Sequence, residues 1–171
     1  MLVLIVGPSG AGKDTLLNVA RVRLAGDPRV RFARRDVTRP PSAEEDNRCV
    51  SVAEFTAIRD AVGYALWWEA HGLAYGIRNS ELVGADVVVC SVSRAILADV
   101  AARFRMKVVE ITASPEVLAV RLAGRGRESA EDIAARLARQ VPIPEGIETV
   151  RIVNDGAIED AAEALVRAII S

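Results

Sequence analysis

Leu2-Val3-Leu4-Ile5-Val6-Gly7-Pro8-Ser9-Gly10-Ala11-Gly12-Lys13-Asp14 decides the architecture, because three physical signals follow one another in it without a gap. Leu2 to Val6 is an apolar run with no polar alternation, the pattern of a strand covered on both faces. The spacing Gly7-x-x-x-x-Gly12 lets successive backbone N–H groups turn inward around an anion. From Asp14 to Ala25 the apolar residues take helical spacing, so the loop opens onto a helix N-terminus whose dipole adds to those amides. Strand, glycine loop and helix in this order make a phosphate-binding loop, with Gly7, Pro8, Ser9, Gly10, Ala11 and Gly12 as its cradle. Lys13 then stands within reach of the β- and γ-phosphates of a nucleoside triphosphate.

The residue after the lysine of such a loop is ordinarily Ser or Thr, whose hydroxyl helps to hold Mg²⁺. Here it is Asp14, with Thr15 next. A carboxylate beside phosphates is repelled unless a hard cation sits between them. Two readings stay open: Asp14 touches Mg²⁺ directly or through water, or Asp14 caps the helix and Thr15 supplies the metal's hydroxyl.

Downstream, strands and helices alternate. Phe32 to Val37 reads as a strand leading into the turn at 40–42. Ser51 to Glu54 is a capping box opening a helix through Asp60. Tyr64 to Glu69 and Leu73 to Ile77 form a hairpin around His71-Gly72. Asp86 to Ser91, Lys107 to Thr112 and Thr149 to Val153 read as strands. Arg94 to Phe104, Ser129 to Arg139 and Ile158 to Ile170 read as helices, as does a segment begun by Ser114-Pro115-Glu116. Such alternation predicts an α/β fold with an open parallel sheet between helical layers. The 171 residues suit one such domain.

The net charge of −1, with no basic stripe, excludes bulk nucleic-acid binding. Cys49 and Cys90 are too few for a disulfide framework or a metal cluster. The opening apolar run is too short for a signal peptide or a membrane span, which points to a cytoplasmic protein. Of the 22 basic residues all but Lys13 and Lys107 are arginine, the side chain whose planar fork suits phosphate oxygens. Arg121, Arg125, Arg127, Arg136 and Arg139 form one group. On a mobile lid they would neutralise a moving phosphoryl group and exclude water; on an ordinary solvated helix they would pair with Glu128, Glu131 and Asp132.

Several segments carry a family resemblance: 7–14, Val37-Thr38-Arg39-Pro40, Ala70-His71-Gly72-Leu73-Ala74-Tyr75-Gly76, Ser93-Arg94, Arg125-Gly126-Arg127-Glu128 and Asn154-Asp155-Gly156. On these the chain resembles the guanylate-kinase-like group of P-loop kinases, and within it the ribose 1,5-bisphosphate phosphokinase (PhnN) type. The resemblance implies a P-loop three-layer α/β/α domain, with an acceptor-binding subregion at about 32–84 and a lid at about 122–140. It implies ATP and Mg²⁺ as cofactors and ribose 1,5-bisphosphate as the small-molecule partner. The product would be 5-phosphoribosyl 1-diphosphate, made in phosphonate breakdown and supplying nucleotide and NAD precursors. Lys13, Arg125, Arg127 and Arg136 would line the transferring phosphoryl. Arg39 and Tyr75 would hold the acceptor phosphate with Arg35 beside them, and Asn154 would lie where related kinases place adenine.

Glu69 has two readings, an orienter of an acceptor hydroxyl or the partner of an arginine. Guanylate kinases carry a glutamate that reads guanine where this chain has Leu66, which favours a sugar phosphate over GMP. The second arginine of their phosphate clamp is replaced by Ser42. Ser91 stands where the phosphokinase pattern more often shows Asn. The competing expectations are a GMP kinase and a non-catalytic binding module of the same fold.

Overall fold

The structure, a computed structural model, describes residues 1–40, 46–124 and 141–171. Its frame is a five-stranded parallel sheet in the order β2-β7-β1-β8-β9. The strands are β1 (Leu2–Val6), β2 (Val30–Phe32), β7 (Val87–Ser91), β8 (Met106–Thr112) and β9 (Thr149–Val153). Alternation sorts the side chains of β1 cleanly. Val3 and Ile5 join Val109 and Ile111 on one face, beneath Leu16, Leu17 and Ala20 of α1 (Lys13–Arg23) and Leu165 and Ile169 of α5 (Ile158–Ile170). Leu2, Leu4 and Val6 join Val88, Cys90 and Val108 on the other, beneath Leu97 and Val100 of α3 (Leu97–Arg103). A strand wedged between two apolar layers has to be apolar throughout, as β1 is.

The chain runs from β1 outward to β2, returns to β7, then crosses β1 to reach β8. The order reverses at β1, and the crevice at the carboxyl end of such a strand is where open α/β sheets bind ligands. The phosphate loop lies there. α4 (Pro115–Ala123) follows β8, with Ser114 as its cap and Pro115 in its first turn.

A second sheet, ordered β4-β3-β6-β5, shares the second face with α3. It consists of β3 (Arg35–Val37), β4 (Asn47–Cys49), β5 (Tyr64–Ala70) and β6 (Leu73–Arg78). The hairpin β5–β6 turns through His71 and Gly72, both at positive φ (53° and 74°), as a two-residue primed turn requires. α2 (Val52–Asp60) opens on the expected box: the Ser51 hydroxyl accepts from Glu54 N at 3.1 Å, and Ser51 N donates to Glu54 Oε2 at 2.8 Å.

One expectation is corrected. The single strand read over 32–37 is two strands in different sheets, broken at Ala33-Arg34. Ala33 N still donates to Val89 O at 2.9 Å, so the chain leaves the large sheet only at Arg34. That break frees Arg35 to pair with Ile77 and Asn47 in the small sheet. The helix read from Arg94 to Phe104 begins as a 3₁₀ turn at Arg94–Ile96 and is α-helical from Leu97. The helix expected at 129–139 lies outside the described residues.

Pairing register gives the small sheet two chemically different faces. Residues directly opposite share a face, so Arg35, Asn47, Tyr75, Ile77, Leu66 and Trp68 point inward toward the large sheet. Asp36, Arg48, Tyr64 and Arg78 point the other way, and Phe55 of α2 stacks on Tyr64 at 4.7 Å. Asp36 is fully buried there and accepts from Arg48 at 3.0 Å, Arg78 at 2.8 Å and Tyr64 at 2.8 Å. Burial and the Asp36 hydrogen bond push the Tyr64 phenol well above its usual range.

Candidate active site

The phosphate loop connects β1 to α1 as the spacing predicts. Gly7 lies so close to β8 that a Cβ there would sit 1.9 Å from the Ile111 carbonyl oxygen. Gly12 caps α1 in the left-handed region (φ 85°). Lys13 curls back over the loop, its Nζ donating to Gly7 O at 2.8 Å and Pro8 O at 3.0 Å. An ammonium folded over the loop's own carbonyls is already beside the place where anions gather.

Asp14 does not cap the helix: the cap is Gly12, with no side-chain cap bond, and Asp14 is a half-buried residue of the first turn. It lines a small open cleft together with Leu17, Asn18, Arg21, Arg35, Asp46, Asn47 and Ser91 among others. Thr15 is exposed and is not in that lining. Among the described residues no group of three or more His, Cys, Asp or Glu could hold a metal. A carboxylate in the turn that follows a phosphate loop fits Mg²⁺ nonetheless, since that ion binds through one or two carboxylates, substrate phosphates and retained waters.

The inner face of the small sheet forms the opposite wall. Arg35 donates from Nε to Asn47 Oδ1 at 3.1 Å, and its Nη1 reaches the carbonyl oxygen and the hydroxyl of Ser91, each at 3.4 Å. Its guanidinium lies over the Tyr75 ring at 5.8 Å, and Tyr75 stacks on Trp68 at 5.4 Å. Arg39 follows β3 and is half-buried. Glu69 lies on the other face of β5. It pairs with Ala74, one residue from the Trp68–Tyr75 pair, so it points from the opposite face and is exposed. The structure does not bring it to Tyr75, because strand alternation reverses direction at each residue.

Asn154 is also placed differently from an open adenine contact. It is only 3% exposed, lies beneath the loop, and donates from Nδ2 to Ala11 O at 2.9 Å. Arg121 completes this brace, donating to Asn154 O at 2.9 Å and to Gly10 O at 3.4 Å. Sequence reading missed Asn47, and it missed Arg121 as a brace of the loop. No local motif marks either one; only strand register and the fold of α4 against the loop bring them in. Arg125, Arg127 and Arg136 lie outside the described residues, as does most of the expected lid.

No protein-family model matches the sequence. A curated protein of Methylobacterium radiotolerans, ribose 1,5-bisphosphate phosphokinase PhnN, is 52% identical over 169 residues, spanning 96% of this chain and 94% of its own. The chain belongs to the ribose 1,5-bisphosphate phosphokinase family. A PhnN phosphokinase of Agrobacterium fabrum is 44% identical over 172 residues, covering 97% of this chain and 94% of its own. In Azorhizobium caulinodans a 44% identical region occupies 25% of a bifunctional ribose 1,5-bisphosphokinase-thymidine phosphorylase. Among solved structures, a guanylate kinase of Anaplasma phagocytophilum superposes with a TM-score of 0.70 over 99% of this chain and 84% of its own. At 19% identity that likeness concerns the fold alone, which the phosphokinase family thus has in common with a guanylate kinase. No described helix is long and apolar enough to cross a membrane.

Proposed function

We propose that this chain transfers the γ-phosphate of ATP to ribose 1,5-bisphosphate, giving ADP and 5-phosphoribosyl 1-diphosphate. The observation that carries the reading is the match at 52% identity along nearly the whole of both chains to a phosphokinase of that name. The geometry supports it: Asp14, in the first turn after the phosphate loop, lines a cleft shared with Arg35, Asn47 and Ser91. At the guanine-reading position Leu66 is 2% exposed within the apolar core, so that position offers a base no hydrogen bond.

In the reaction an oxygen of the acceptor's 1-phosphate attacks the γ-phosphorus, and the bond from that phosphorus to the β-phosphate oxygen breaks. The acceptor is a phosphate monoester with a second pKa near 6, so it is largely dianionic at pH 7 and needs no general base. The chain's one histidine, His71, is spent on an exposed hairpin turn. What the protein has to supply is position and charge. The loop amides and Lys13 hold the donor phosphates, and Arg39 and Tyr75 hold the attacking phosphate. On the family pattern Arg125, Arg127 and Arg136 would neutralise the transferring group. Mg²⁺, held by Asp14, would neutralise the donor phosphates.

A coupled assay of ADP release with Mg-ATP tests the proposal, comparing ribose 1,5-bisphosphate with GMP as acceptors. Turnover of the bisphosphate at least about 100-fold more efficient than of GMP is expected. Robust turnover of GMP would replace this reading with a nucleoside monophosphate kinase. Failure to bind Mg-ATP would leave a non-catalytic binding module.

A further inference from the structure

A phosphate loop binds through its N–H groups, so its carbonyls have to be turned away from the anion and given donors elsewhere. Resting on the reading that this loop receives the triphosphate of ATP, we propose that Arg121 and Asn154 are positioning residues for it. They hold the Gly10 and Ala11 carbonyls and so aim the loop's amides before the nucleotide arrives.

The loop's carbonyls divide by the source of their donors. Gly7 O and Pro8 O accept from Lys13 Nζ, Pro8 O also from Ala11 N at 3.3 Å, and Gly12 O from Leu16 N at 3.0 Å. Those donors belong to the loop and to α1. Gly10 O and Ala11 O are held from outside, by Arg121 Nη1 at 3.4 Å and Asn154 Nδ2 at 2.9 Å. In a trans peptide unit, and the described chain has no cis bond, the C=O and the next N–H lie in one plane and point opposite ways. Drawing Ala11 O toward Asn154 therefore turns the Gly12 N–H away from it, and Gly10 O fixes the Ala11 N–H in the same manner.

Both braces are themselves anchored. Asn154 follows β9, where its N donates to Thr112 O of β8 at 2.8 Å and its carbonyl accepts from Arg121 Nη2 at 2.9 Å. The next residue, Asp155, accepts from Ser114 N at 2.7 Å and ties down the start of α4, whose last turn carries Arg121. Gly12 interlocks with this arrangement: its φ is 85°, and a Cβ there would stand 2.5 Å from Asn154 Nδ2. Gly10 lets α4 come close as well, a Cβ there lying 3.2 Å from Leu122 Cγ. The loop's conformational freedom is thus given up on folding rather than on binding, which favours affinity. The rival role is a direct nucleoside contact through Asn154 Oδ1, which is buried and has no hydrogen-bond partner among the described residues.

Calorimetry with Mg-ATP and with Mg-tripolyphosphate, which has the three phosphates and no nucleoside, tests the proposal. Arg121→Ala and Asn154→Ala are each expected to raise both dissociation constants about tenfold, in parallel. KM for ribose 1,5-bisphosphate at saturating Mg-ATP should stay within about twofold. Arg121→Lys keeps the charge but not the fork, and its dissociation constants should remain raised about threefold. Should Asn154→Ala not fold, the two variants at half-buried Arg121 carry the test. A loss confined to Mg-ATP would mean a nucleoside contact, full recovery in Arg121→Lys bare charge, and unchanged affinities in folded variants a packing role. Each of these would overturn the braces while leaving the ATP reading standing, as would an unaltered protein that binds Mg-ATP but not Mg-tripolyphosphate. An unaltered protein that binds neither would overturn both.

Discussion

Gly7 and Asn154 mark the two ends of what a single residue does for this loop. Gly7 permits the loop: its backbone passes β8 so closely that a methyl group would press on the Ile111 carbonyl, an atom fixed in the sheet. Its φ of 150° is also one that residues with a Cβ rarely adopt. Gly7→Ala is therefore expected to lower unfolding free energy by about 3 kcal/mol, combining overpacking with backbone strain. Urea denaturation reads this directly, and a loss under about 1 kcal/mol would mean that the loop can move off β8. Asn154 restrains the loop from below through Ala11 O. Gly7 was legible in the sequence because the motif itself states the steric need. Asn154 was legible only as a position in a family pattern, and its work as a brace emerges once β9 lies beside β8.

At the scale of elements, the small sheet depends on buried charge. Glu81, just after β6, is 4% exposed and accepts from Arg34 N at 3.1 Å. It also pairs with Arg48 and lies 3.7 Å from Arg31. Arg48 in turn holds Asp36, so β2, β3, β4 and the end of β6 share one network. Burial raises the carboxyl pKa of Glu81, but the hydrogen bonds from Arg34 and Arg48 and the charges of Arg48 and Arg31 outweigh it and leave it below the ordinary 4.5. A carboxylate whose folded pKa is depressed contributes stability above its unfolded value and loses it as pH falls through the folded one. Glu81→Gln is expected to cost about 2–3 kcal/mol at pH 7, less than a fully buried pair because Arg31 and Arg48 are partly exposed. The gap from the unaltered protein should shrink below about pH 5. Melting points across pH 3–7 check this, and a pH-independent gap would count against the carboxylate's role.

The elements were legible to different degrees for the same physical reasons. Long buried strands, capped helices and the primed hairpin turn carry their signals locally, and they stand where spacing put them. The division of 32–37 between two sheets carries no local signal, since Val30–Phe32 and Arg35–Val37 differ only in what lies beside them. The three-residue strand β4 is too short to show alternation. The face that Glu69 takes was not legible, because it depends on the register of Trp68 against Tyr75.

For the whole molecule, the cleft lies between two bodies, the large sheet and the small one, which share an apolar core and polar contacts. Among the described residues these include Arg35 to Ser91, Arg103 Nη2 to Ala65 O at 2.8 Å, and Arg34 N to Glu81. On the proposed reading the donor would bind to the large sheet through the loop, and the acceptor would also touch the small sheet. The two ligands should therefore stabilise different parts of the fold. Mg-ATP at 100 times its Kd is expected to add about 2.7 kcal/mol, or about 5–10 °C in Tm for a chain of this size. Lys13→Ala should abolish that shift and lower the ligand-free Tm by only a few degrees, since it removes two hydrogen bonds to loop carbonyls. Hydrogen exchange then separates the two bodies. Mg-ATP alone should slow exchange in the phosphate loop and the first turn of α1, and ribose 1,5-bisphosphate alone should slow it in β3 and β4. Identical protection patterns for the two ligands would mean that the small sheet is not where the acceptor binds.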